Sequence, residues 1–112
     1  KKKIAVIDFT DLCLSDFARD LGSFLQQLEY MCNKNISDPG YSLKAKKIFL
    51  DNYCRNAKIK MSDYLEERIN NYYNWTMMRT ATSLLLQHNP RPDHAEPLLK
   101  QICENLNITH NL

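Results

Sequence analysis

The sequence predicts a mainly α-helical chain with one short N-terminal strand followed by about four helices. Three observations support this. Ile4-Ala5-Val6-Ile7 is a brief apolar run rich in β-branched residues, the pattern of a buried strand. From residue 16 onward, apolar residues recur at intervals of three and four, the period of a helix with one buried face. Breakers interrupt that period at Ser37-Asp38-Pro39-Gly40 and at Asn89-Pro90-Arg91-Pro92.

The elements can be justified in order. The strand covers residues 4–7 and delivers Asp8-Phe9 to its end. The first helix begins near Asp16, a favourable N-cap, and Phe17, Leu21, Phe24, Leu25, Leu28, Met31 and Cys32 form its apolar stripe. Asp20 lies one turn beyond Asp16, on the flank of that stripe. Residues 33–40 form a loop. Ser42 is positioned to cap a second helix ending near Asn56, with Ala45, Ile48, Phe49 and Tyr53 on its inner face. Ser62 or Asp63 opens a long third helix running to about Gln87, and Asp63 with Glu66 has capping-box spacing. Its second half is apolar nearly all round, which predicts a central position buried on several sides. Asp93 with Glu96 opens a last helix bearing Leu98, Leu99, Ile102, Cys103 and Leu106, with Pro97 expected in its first turn.

Composition bounds the function. A chain of 112 residues has room for one small core and is read as a single domain spanning 1–112. A hydrophobic fraction of 44% fits a globular chain. A net charge of +2 gives no electrostatic case for nucleic acid or a charged membrane. No stretch approaches the ~20 apolar residues needed to span a bilayer, and no secretory signal pattern opens the chain. The cysteines at 13, 32, 54 and 103 form no Cys-x-x-Cys pair; they are expected to be reduced, in a cytoplasmic protein. Formal glycosylation sequons at residues 35–37, 74–76 and 107–109 are read as chance matches.

Function turns on the acids after the strand. Asp8, Asp11, Asp16 and Asp20 place four carboxylates within thirteen residues. The segment reads Ile7-Asp8-Phe9-Thr10-Asp11, four residues, then Asp16-Phe17-Ala18-Arg19-Asp20-Leu21. It resembles the metal-binding segment of the aminoglycoside phosphotransferase and choline kinase-like family, in which Asp-Phe-x-Asp is followed by Gly-Asp-Pro-x-x-Asp-Leu at a helix start. All four acid spacings match. Ser15 stands where that family usually has Gly, and Phe17 where it has Pro. The likeness covers about the first third of the chain.

The resemblance implies the C-terminal lobe of a protein kinase-like fold, in which the strand finds partners. Those partners matter, because unpaired backbone groups of a buried strand are costly. It also implies transfer of phosphate from ATP or GTP, with Mg²⁺, to a hydroxyl of a small molecule. Such chemistry relies on positioning and charge stabilisation, and Mg²⁺ prefers carboxylate and water oxygens. By resemblance, Asp8 binds Mg²⁺, and Asp11 either joins that cation's shell or holds the loop. Asp20 matches a helix Asp that braces the catalytic loop, and Asp16 is expected to cap its helix.

The family's His-x-Asp-x-x-x-x-Asn loop does not occur in this sequence, and with only Gly22 and Gly40 there is no glycine-rich phosphate loop. No catalytic residue is therefore assigned within the chain. It is read as the C-terminal piece of a larger phosphotransferase, inactive alone, with neither Mg²⁺ nor nucleotide expected to bind it in isolation. Its expected partners are the N-terminal part of the same protein and the hydroxyl substrate. The isolated piece is expected to self-associate through bared faces.

Plainer readings stand beside these. Tyr72, Tyr73 and Trp75 are read as core, Glu66 and Glu67 as a solvated face, and His88, Asp93 and His94 as loop and cap residues. The alternative function is a self-standing helical interaction or dimerisation module without catalysis.

Overall fold

A computed structural model describes residues 2–5 and 13–108. It contains four helices: α1 (Phe17–Asn35), α2 (Tyr41–Ala57), α3 (Asp63–Leu86) and α4 (Pro92–Asn105). Among the described residues there is no strand. Residues 2–5 are exposed and without regular structure, and the rest of the expected strand lies outside the described residues.

α3 is the central element. It packs along α1 on one side and against α4 on another, whereas α2 packs on α1. Between α1 and α3, Ala18, Leu21, Leu25, Leu65 and Ile69 form the buried core, flanked by Phe49, Leu50 and Tyr53 of α2 and by Ile59 and Met61 of the following loop. Each Leu or Ile buried in this way contributes about 1.5–3 kcal/mol relative to exposure. Farther along, Met77 and Ala81 of α3 and Ala95 and Ile102 of α4 are buried.

The α1–α3 crossing is close because of one glycine. A Cβ at Gly22 would sit 2.5 Å from the Ile69 carbonyl oxygen and 2.7 Å from the Tyr73 nitrogen, both backbone atoms that cannot swing aside. A glycine inside a helix costs roughly 0.5–1 kcal/mol relative to alanine, and here the backbone approach explains its presence. Beside the crossing runs a polar ladder. Ser23 Oγ bonds Thr76 Oγ1 at 2.9 Å, and Gln27 Nε2 donates to Thr80 Oγ1 at 3.0 Å. Thr80 Oγ1 in turn donates to the buried Gln26 Oε1 at 3.3 Å. These directional bonds favour one relative placement of the two helices.

Several element starts differ from expectation. α1 continues to Asn35, three residues into the expected loop. α2 begins at Tyr41 with Gly40 as its N-cap, so Ser42 is not a cap but a buried residue of the first turn. The turn before it is closed by Asp38, whose Oδ1 accepts from the Gly40 N–H at 2.9 Å. Ser62, not Asp63, caps α3, accepting from the Leu65 N–H at 3.2 Å. α4 starts at Pro92, whose fixed φ suits the first helical position. Pro97 therefore falls in the second turn, where it offers no N–H to the carbonyl four residues earlier.

The second half of α3 is central but not buried all round. Thr76, Met77 and Ala81 are covered, while Trp75 is 59% and Leu86 80% exposed. On α1, Phe24 and Met31 of the expected stripe are also largely exposed, and Gln26, absent from that stripe, is fully buried. All four cysteines are free thiols, Cys13 exposed and Cys32 buried.

Candidate functional site

The acidic segment meets the fold at the start of α1. Asp16 has extended backbone (φ −68°, ψ 116°), and its Oδ1 accepts from the Ala18 N–H at 3.0 Å, the geometry of an N-cap. The same carboxylate holds Arg68 of α3. Arg68 Nε donates to Asp16 Oδ2 at 3.0 Å and Nη2 donates to Oδ1, so the guanidinium grips both oxygens. Forked pairs of this kind fix orientation as well as distance.

Two aromatic rings flank the clamp. The guanidinium carbon lies 5.7 Å from the Phe17 ring centroid and 5.1 Å from that of Tyr64, within cation–π range. Both side chains of the ion pair retain 28% of their exposure, so water is reduced but not excluded. The Arg68 hydrogen bonds, together with the Ala18 N–H, hold the Asp16 carboxyl below its ordinary range against a smaller opposing effect of burial. Arg68 is raised in turn, chiefly by its bond to Asp16.

The predicted site residues are placed as follows. Asp16 is committed to capping and to Arg68. Asp20 is exposed on α1 and has no side-chain partner among the described residues. Asp8 and Asp11 lie outside the described residues. Among those described, no group of three or more His, Cys, Asp or Glu side chains could hold a metal ion. The donor set that the resemblance names for Mg²⁺, two carboxylates, is of the right chemistry for a hard cation.

Elsewhere, Tyr72 and Tyr73 are half-buried against the core and Trp75 is exposed. Glu66, Glu67 and His88 are exposed. Asp93 and His94 meet at 3.3 Å, and His94 Nε2 also bonds Arg91 at the start of α4. Arg68 is the residue that sequence reasoning missed. Its only signal was an Arg bordered at helical spacing by Tyr64 and Tyr72. Comparison with protein-family models, curated proteins and solved structures finds no match. Among the described residues no helix is long and apolar enough to cross a membrane.

Proposed function

We propose that this chain is the helical, C-terminal part of an ATP- and Mg²⁺-dependent phosphotransferase acting on a small-molecule hydroxyl. In this reading Asp8 is the metal-binding residue and Asp11 its neighbour. The observation that carries it is the spacing of Asp8, Asp11, Asp16 and Asp20 after an apolar run. Supporting it, the third of these acids is tied to the protein core by Arg68, which gives the segment a firm boundary on its C-terminal side. Bound Mg²⁺ would supply charge neutralisation of the nucleotide phosphates. The residues described here would contribute an anchored helix start and a helical wall for the substrate. The nucleotide-binding and catalytic loops would come from the N-terminal part of the same protein.

The test uses the complete protein. ATP with Mg²⁺ is expected to raise its melting temperature, and Asp8→Ala is expected to remove that shift and phosphate transfer while leaving the helical content unchanged. Near-normal turnover by that variant overturns the assignment.

A second reading, a helical interaction or dimerisation module, has its own support. Tyr64, Trp75, Met78, Leu85 and Leu86 lie along the side of α3 that faces neither α1 nor α4, and all are exposed. A concentration-independent monomer in sedimentation, in which no other protein component takes part, would remove self-association as its basis.

A further inference from the structure

We infer that the wedge between α2 and α3 is a binding site for an uncharged polyhydroxylated ligand, a saccharide in chemical class. α2 rests on α1 and makes no close backbone approach to α3, which leaves a cleft of about 660 Å³ between them. That volume lies within the roughly 300–1,000 Å³ of small-molecule sites. Its floor is apolar, made by Leu25, Leu50 and Ile69, and suits the C–H face of a sugar ring.

The polar wall is made of carboxamides. Asn70 and Asn74 stand one turn apart on α3, and Asn105 of α4 donates from Nδ2 to Asn74 Oδ1 at 2.8 Å. That pairing uses one donor of Asn105 and the carbonyl oxygen of Asn74, so the Asn74 N–H groups and the Asn105 carbonyl oxygen keep capacity for a ligand. Neighbouring hydroxyls on a ring carry the complementary arrangement, since each can donate and accept.

Charge disfavours the main rivals. The two lysines at the cleft are already engaged: Lys46 with Glu29 at 3.0 Å and Lys47 with Asp51 at 2.9 Å. Lys46 also lies 5.2 Å from the Tyr73 ring centroid. An anionic ligand would compete with the half-buried Lys46–Glu29 pair, while the exposed Lys47–Asp51 pair opposes it only weakly. Glu66 is the cleft's one carboxylate without an ion-pair partner among the described residues, and it is exposed, so it offers a bound cation little beyond what water offers. Hydroxyl groups meet the carboxamides with no charge to desolvate.

This binding does not depend on phosphoryl transfer, so it is read without turnover. The experiment is an amide-resolved NMR titration of the whole chain with the methyl glycosides of glucose, galactose, mannose and N-acetylglucosamine, in parallel with tetramethylammonium chloride and inorganic phosphate. At concentrations of order 10 mM, ten times a weak ~1 mM dissociation constant, at least one glycoside is expected to shift the side-chain amides of Asn70, Asn74 and Asn105. Asn74→Leu is expected to weaken that glycoside at least about tenfold, or ~1.4 kcal/mol. The surface variant Asn70→Ala, which leaves the fold intact, is expected to weaken it by a smaller factor. Asp8→Ala is expected to bind as the parent does, which separates this inference from the transferase reading. The inference is overturned if no glycoside shifts these amides, if the shifts survive both Asn variants, or if only tetramethylammonium or phosphate binds.

Discussion

α1 and α2 carry apolar stripes that look alike on paper, yet the structure treats them differently. α1 is locked to α3 by a glycine crossing, a hydroxyl and carboxamide ladder, and the Asp16–Arg68 clamp. α2 has nothing to match that: only Ser42 of α2 is buried, and the helix is held by ring contacts such as Phe24–Phe49 (centroids 4.3 Å apart) and by the Lys46–Glu29 pair. α1 therefore has a directional, saturated interface, whereas α2 has an apolar and adjustable one. Directional bonds at a close crossing select one register; ring contacts tolerate small rotations. A wedge-shaped cleft results on the side of α2 that α3 does not reach.

The strongest way to break this contrast is in the locked pair. Ile69→Ala is expected to cost about 2–5 kcal/mol in chemical denaturation, because Ile69 is 3% exposed within the α1–α3 core. Gly22→Ala is expected to cost about 1–3 kcal/mol, since the added methyl meets backbone rather than a movable side chain. A Gly22→Ala protein as stable as the parent would show that the helices can separate freely. At the other end of the scale, Ile48→Ala on α2 is expected to stay within about 0.5 kcal/mol, because Ile48 is 52% exposed.

Acid titration sharpens the same comparison. The Asp16 pKa is lowered in the folded chain, so its contribution to stability is present above the unfolded carboxylate value of about 3.9. That contribution is lost as pH falls through the lowered folded value. Arg68→Gln is expected to flatten the decline of stability with falling pH in that window and to leave neutral-pH helicity in place. An unchanged pH profile in the variant would show that the clamp contributes nothing. Hydrogen exchange supplies the gentlest test: backbone amides of α2 are expected to exchange faster than those of α1 and the centre of α3.

The four helices were legible because apolar periodicity and Pro or Gly breakers act locally. Boundaries were less so. Ser42, Ser62 and Asp63 are all acceptable caps in isolation, and which one serves depends on how the preceding loop enters the helix. The α3 stripe misled for a different reason: Trp75, Met78 and Leu86 are apolar, but two neighbouring helices can cover only part of one cylinder. Gln26 misled in the opposite sense, since its buried carbonyl oxygen is satisfied by its neighbour Gln27 and by Thr80, a residue far along the chain. The candidate site was legible as a pattern of acids, because carboxylate spacing is written in order. The partner of Asp16 was not, because nothing in the spacing around Asp16 points to Arg68.

The clamp joins positions 52 residues apart. The bonds that lock α1 to α3 wait for a stretch synthesised after all of α2. During translation the face of α1 that meets α3 stays uncovered while the intervening α2 emerges first. The folding rate of this part of the chain is expected to be set by the arrival of α3 rather than by helix formation itself.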